Sequence, residues 1–256
     1  MIVYGIHPVL EALRAGRARA VRVSARADER MAAAIRLAES RGVRVQRVTV
    51  EQLDRETRGA KHQGVTADLS EAGSLSLAAL LERIARGSEP PLLVVLDGIE
   101  DPQNLGAILR SVDAAGAQGV VRQSRRAAPL GGAAAKASAG AVAHVQVVDV
   151  VNVSRALGEL KRSGVWTVGL ASQAPKRYDE IDYTLPTALV VGAEGGGLRR
   201  LVREGCDWLV SIPMRGHVGS LNASVAAAVV LFEALRQRIL RPGKEGDSGL
   251  EGGSRA

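Results

Sequence analysis

Three short segments of this 256-residue chain hold the side chains best suited to chemistry, each where an apolar run gives way to a glycine-containing loop. The first, LDGIEDPQNLGAILRSVDAAGA (96–117), carries Asn104 and Arg110 after a strand-like run ending at Asp97-Gly98. An amide and a guanidinium at such a place could hold a hydroxyl or a phosphate. The plainer alternative makes Asp97 and Asn104 turn and cap residues and leaves Arg110 on a solvated face. The second, ALVVGAEGGGLRR (188–200), runs an apolar strand into glycines that permit unusual backbone angles and close approach to a ligand. No Gly-Lys-Ser/Thr follows, so it is not a P-loop, and Glu194 inside the glycine run breaks the dinucleotide fingerprint. Glu194 could orient an arginine or accept from a ligand; a solvated glutamate in a tight turn is the alternative. The third, SIPMRGHVGSLNASVAAAVVLFEALRQR (211–238), places Ser220-Leu221-Asn222 at the start of a long apolar helix, with Ser220 as its expected N-cap. Free N–H groups of that first turn would face whatever sits above the strands; simple capping of a buried helix is the other reading.

The intervening sequence supplies elements to position these segments. Between 91 and 240, LLVVLDG, GVV, HVQVVDV, VWTVGLA, ALVVGAE and WLVSIPM are near-continuous apolar runs of the kind found in buried parallel strands. Helical patterns alternate with them: NLGAILRSVDAAG, VSRALGELKRSG, LRRLVREG and SLNASVAAAVVLFEALRQRIL. The fold class is therefore α/β, a parallel sheet covered on both faces, and ligands of such sheets sit beyond the carboxyl ends of the strands. Residues 1–70 read as a separate small α/β unit. HPVLEALRAG is a helix stopped at Gly16, AVRVSA a strand, and a helix opens at Asp28 and closes at Gly42. VRVQRVTV and GVTADL follow as strands around a turn at 59–64. Residues 71–90 read as a linker containing one amphipathic helix, and the Gly-rich polar stretch 241–256 as a disordered tail.

Composition narrows the partners. Lys and Arg outnumber Asp and Glu by 34 to 27, and 13 − 8 = +5 of the net +7 lies in residues 1–70. A polyanion is the expected partner, nucleic acid first, against the plain alternative of solvated arginines. Aromatics are 2% of the chain, too few for a base-stacking sheet, so phosphate, ribose and shape contacts should dominate. No apolar run is long enough to span a bilayer. One cysteine, Cys206, and four scattered histidines show neither an internal disulfide nor zinc spacing, and no metal is expected.

Each segment alone is ambiguous, but their order and spacing resemble the SpoU/TrmH family of RNA ribose 2′-O-methyltransferases. Asp101-Pro102-Gln103-Asn104-Leu105-Gly106-Ala107 through Arg110 is similar to the first family motif. Gly192-Ala193-Glu194-Gly195 is similar to the second, and Ile212-Pro213-Met214 with Ser220-Leu221-Asn222 to the third. Tyr4 to Val9 and Gly59 to Gly64 look like the family's ribosomal-RNA branch, in which a small domain similar to an RNA-binding ribosomal protein precedes the catalytic one.

The resemblance implies a trefoil-knotted domain over 91–240 and a homodimer whose sites use both subunits. It implies S-adenosylmethionine as cofactor, contacted by Gly192, Ile212 and Leu221, and Asn104, Arg110, Glu194, Ser220 and Asn222 as the catalytic and RNA-handling residues. RNA, a guanosine of 23S ribosomal RNA in the first place, and a second copy of the chain are the implied partners; neither DNA nor a membrane is, and the implied setting is cytoplasmic. The same chemistry on transfer RNA or at an antibiotic-resistance site, or a non-catalytic ribosome-assembly role, are the rivals. Family accounts often make the motif-one arginine a base. Arginine rarely loses its proton, so Arg110 is better expected as a cation for phosphate and developing alkoxide, with Glu194 orienting it or the ribose.

Overall fold

The computed structural model describes residues 1–25, 29–70 and 75–240. Asp28, the expected helix opener, and the tail 241–256 lie outside the described residues. The N-terminal part contains β1 (Ile2–Tyr4), α1 (Ile6–Arg14), β2 (Ala18–Ser24), α2 (Glu29–Ser40), β3 (Arg44–Val48), α3 (Val50–Thr57) and β4 (Val65–Leu69). Its four strands run in the order β1-β4-β2-β3, with only β2 and β3 parallel. Strand β1 and helix α3 were not expected from sequence. A three-residue strand is too short to show alternation. The run read as a strand through Val50 instead stops at Val48, because Thr49 caps α3 in a reciprocal capping box with Gln52.

The second part contains α4 (Leu77–Ala85), β5 (Leu92–Asp97), α5 (Pro102–Ala114), β6 (Gly119–Gln123), α6 (Ala133–Ala137) and β7 (Val147–Val150). It continues with α7 (Val153–Arg162), β8 (Trp166–Leu170), β9 (Lys176–Arg177), β10 (Thr187–Gly192), α8 (Arg200–Gly205), β11 (Trp208–Ser211) and α9 (Ala223–Ile239). Among the described residues seven strands form one sheet in the order β7-β6-β5-β10-β8-β11-β9, and every neighbouring pair is parallel. Strands β5 and β10 are buried at every residue. Alternate side chains enter opposite cores, as the pleat requires. Leu92, Val94, Leu96, Leu189 and Val191 pack on the face covered by α5 and α9. Leu93, Val95, Ala188 and Val190 pack on the other, with Leu77, Leu80 and Ile84 of α4 and Leu157 and Leu160 of α7. Helix α4, from the segment read as a linker, thus belongs to this core.

The core on the α5 and α9 face continues into the first part through Val9, Leu13 and Val21. Polar contacts fasten the two parts. Arg17 Nη1 donates to the carbonyls of Val142 and Ala143 at 3.1 and 3.3 Å, and Gly132 N donates to Ile2 O at 3.2 Å. From β5 the chain proceeds to β6 on one side, while β10 returns on the other. This reversal opens a crevice at the carboxyl ends, where Asp97 and Gly192 are register partners.

Candidate functional site

All three chemistry-bearing segments end in that crevice. Helix α5 begins there because Asp101 accepts from Gln103 N and Asn104 N at 3.1 and 3.2 Å and Pro102 fills the first turn. This cap sets Asn104, which is buried, at the mouth of the crevice. Helix α9 begins at Asn222, whose Oδ1 accepts from Ser224 N and Ser224 Oγ at 2.9 and 2.6 Å. The cap is therefore Asn222 and not Ser220, which is exposed in the preceding loop. Asparagine is as good a cap as serine, and its longer side chain reaches across with its amide while the carbonyl caps.

That reach closes a triangle. Asn222 Nδ2 donates to Asn104 Oδ1 at 2.9 Å and to Glu194 Oε1 at 3.3 Å, and Asn104 Nδ2 donates to Glu194 Oε2 at 3.1 Å. Three side chains from the segments that follow β5, β10 and β11 thus hold one another. Glu194 is exposed, so its carboxylate faces the crevice while two amides fix it. Among the described residues of one chain it makes no hydrogen bond or ion pair with Arg110. That residue lies six positions beyond Asn104 on α5, about 240° around the helix, exposed and without a hydrogen-bond or ionic partner among the described residues.

Beside the triangle lies a cavity of about 180 Å³ whose lining includes Gly192, Ile212 and Leu221, the three expected cofactor contacts, together with Glu194 and Ser220. Apolar side chains and glycine backbone make most of its wall, and among the described residues Glu194 is the one charged side chain lining it. Such a pocket suits a cofactor with a flat aromatic base and a cationic centre, and its described lining lacks the basic groups that a polyphosphate nucleotide would need. Gly192 is required by packing: a Cβ there would sit 2.2 Å from the carbonyl carbon of Gly197, because the loop folds back through paired hydrogen bonds between Ala193 and Gly197.

A second network was missed from sequence. Asp97 is fully buried at the tip of β5, where it accepts from Arg199 N at 2.8 Å and Arg199 Nε at 2.6 Å and pairs with Nη2 of the same residue. Arg199 Nη2 also donates to Gln123 Oε1. This grip anchors the far end of the glycine loop. An acid closing a wholly apolar strand needs a cation, and Arg199, two residues after the glycine run, was the available signal. Cys206 stands outside the chemistry: burial pushes its thiol up to about 12. Among the described residues no cluster of His, Cys, Asp or Glu is placed to hold a metal ion.

Comparison with known proteins adds relatives to this geometry. A family model described as the SpoU rRNA Methylase family matches residues 91–232, and one described as RNA 2′-O ribose methyltransferase substrate binding matches residues 2–74. The chain is 48% identical over 220 residues to the 23S rRNA (guanosine-2′-O-)-methyltransferase RlmB of Ralstonia nicotianae, covering 86% of this chain and 87% of the relative. It is 43% identical over 239 residues to the protein of the same name from Pseudomonas syringae pv. tomato, covering 92% and 95%. The crystal structure of the SpoU methyltransferase AviRb from Streptomyces viridochromogenes, in complex with AdoMet, superposes with a TM-score of 0.78 at 28% identity, covering 93% of this chain and 90% of that one.

Proposed function

The chain belongs to the SpoU rRNA methylase family, and on that premise we infer that it methylates a ribose 2′-hydroxyl of RNA, on a guanosine of 23S ribosomal RNA, with S-adenosylmethionine as donor. The observation that carries this reading is the triangle of Asn104, Glu194 and Asn222 set against a glycine-walled, apolar cavity. When bound, S-adenosylmethionine supplies an electrophilic methyl group on a sulfonium. Gly192, Ile212 and Leu221 would hold it, with Glu194 as the anionic neighbour of its positive charge. The protein's task is then to aim a weak nucleophile and to steady the charge that grows on it. Glu194, fixed by two amides, accepts from the incoming ribose and orients it. Asn104 and Asn222 keep that carboxylate in place, and Ser220 lies at the lip to fix the hydroxyl and loop. Arg110 acts as a cation towards the adjacent phosphate and the forming alkoxide; the proton leaves through water or phosphate.

Arg110 does not meet its own chain's triangle, which supports a site shared between two copies. Helix α9 offers the surface for such a pair. Its inner side buries Ala227, Val230, Leu231 and Ala234, while Val225, Phe232 and Ile239, seven residues apart, remain 48%, 49% and 70% exposed. A heptad-spaced apolar stripe is a helix-pairing seam, and Phe232 is the only phenylalanine in the chain. Sedimentation at micromolar concentration should give a dimer for the native protein and a monomer for Phe232→Glu. A native monomer would refute the shared site.

The match of residues 2–74 to a substrate-binding model and their excess charge favour a large structured RNA over transfer RNA. No described helix is long and apolar enough to cross a membrane, and the proposed setting is the cytoplasm, with the RNA. The test is methyl transfer from labelled S-adenosylmethionine to unmodified 23S and transfer RNA transcripts, with the product site mapped. Transfer to 23S RNA at one guanosine is expected. Transfer to transfer RNA alone, or to neither, would overturn the assignment.

A further inference from the structure

Between β6 and α6 the chain makes a loop whose outward residues, Arg125 and Arg126, take no part in the site described above. Both are exposed, and neither side chain has a hydrogen-bond or ionic partner among the described residues. The loop itself is firmly held. At its start Arg122 Nε donates to Asp149 Oδ1 at 2.7 Å, and Arg122 Nη1 donates to the carbonyl of Ala128 at its end. Ala128 N donates to Ile99 O at 3.0 Å, which fastens the loop to the turn leading into Asn104. Arg126 has a left-handed backbone with φ 51°, rare for a residue with a side chain and sustained only where the surroundings impose it. What imposes it is Gln123, 5% exposed, whose Nε2 donates to Arg126 O at 2.7 Å. The Oε1 of the same amide accepts from Arg199, which grips Asp97 at the end of the glycine loop. One buried glutamine thus ties the arginine loop to the wall of the cofactor cavity.

Lone surface arginines are usually solvated and nothing more. Here a strained, buried-amide-braced turn sets two of them side by side at the crevice end of the sheet. Asp97 and Asp149 are taken by Arg199 and Arg122, and of the exposed carboxylates in the adjoining turn Asp101 caps α5, while neither it nor Glu100 pairs with Arg125 or Arg126. Guanidinium forks match phosphate oxygens, and contacts to a backbone set register without reading bases. We propose that Arg125 and Arg126 form a rigid clamp on the phosphodiester backbone of the RNA strand whose ribose enters at Asn104. The proposal rests on the RNA-methyltransferase reading and adds the surface along which the substrate strand lies.

The test replaces both residues, Arg125→Ala with Arg126→Gly, in the full-length protein. Glycine accepts a φ of 51° freely, so the loop keeps its path while losing its charge. Binding of an unmodified 23S ribosomal RNA transcript is measured against salt, alongside steady-state methyl transfer. The slope of log affinity against log salt should become shallower by about 2, roughly one for each phosphate no longer neutralised. Affinity at low salt should fall on the order of tenfold or more, and the KM for RNA should rise in step with kcat and cofactor affinity held. Replacing both by lysine should keep the slope. A native slope and affinity in the Ala/Gly variant would overturn the clamp, as would a fall in kcat at unchanged KM and slope, which would put the pair in the reaction instead. If the native protein transfers no methyl group to any RNA, the enzymatic reading falls, while the binding slopes still decide the clamp.

Discussion

The two sheets of this protein solve different problems with the same alternation of strand and helix. In the seven-stranded sheet the central strands β5 and β10 are buried at every position, and polar groups appear only where the strands end. In the four-stranded sheet, β2 and β3 carry arginines within the strands, and β3 has no fully buried residue. A sheet buried on both faces can act only at its rim, so its chemistry sits in three loops that brace one another. A sheet with an open edge can use its length, so its charge is spread. The first arrangement gives geometry, which a single atom can spoil; the second gives affinity, which erodes by degrees.

That contrast can be broken most sharply at Arg110. Arg110→Ala should slow single-turnover methyl transfer on the order of 10²–10³-fold if the guanidinium steadies the developing oxyanion. Arg110→Lys should stay impaired at every pH, because the planar fork is gone. Lysine has an unperturbed pKa of about 10.4, so a lysine variant recovering towards the native rate as pH rises to about 10 would make the residue a base and refute its role as a cation.

Gly192→Ala comes next. Its methyl group would collide with the backbone of Gly197 and force the loop off the cavity, an overpacking that costs about 1–3 kcal/mol. Calorimetry should find cofactor binding abolished or severely weakened; native affinity would show that the loop can refold around the methyl group at no cost. The corresponding change in the other sheet should be gradual. Arg44 and Arg47 on β3 are exposed and make no ion pair among the described residues. Arg44→Ala with Arg47→Ala should weaken RNA binding and lower its salt slope by about 2, leaving cofactor affinity and kcat intact. An unchanged slope would remove β3 from the RNA surface.

The smallest effect is expected at Tyr183, which is fully buried beneath α9 with its hydroxyl lacking any hydrogen-bond partner among the described residues. Burial raises its pKa, with the nearby Glu233 carboxylate adding to the shift. A buried polar atom without a partner contributes nothing by staying, so Tyr183→Phe should leave thermal stability unchanged or raise it by up to about 1 kcal/mol. A clear loss of stability would mean that the hydroxyl finds a partner, and a water enclosed in the core would be the place to look.

Much of this molecule was determined by the chain alone. Short, β-branched apolar runs such as LLVVLD and ALVVG, bounded by turn residues, read as buried parallel strands, and those turn residues put every motif at a strand's carboxyl end. Asn104, Glu194 and Asn222 each allowed a turn or capping role when taken alone, and the order and spacing of their three segments, which resemble a known family, singled them out. What the chain could not specify was which of them would meet. Whether Asn222 or Ser220 caps α9 depends on Asn104 and Glu194 lying within reach of the Asn222 amide, and these partners stand 118 and 28 residues away in sequence. The grip of Arg199 on Asp97 and its hydrogen bond to Gln123 likewise exist only because β5, β6 and β10 are neighbours. Local propensity ends at about one helical turn or one hairpin. A hydrogen bond between two loops is chosen by strand order, and strand order is decided only when the sheet is assembled.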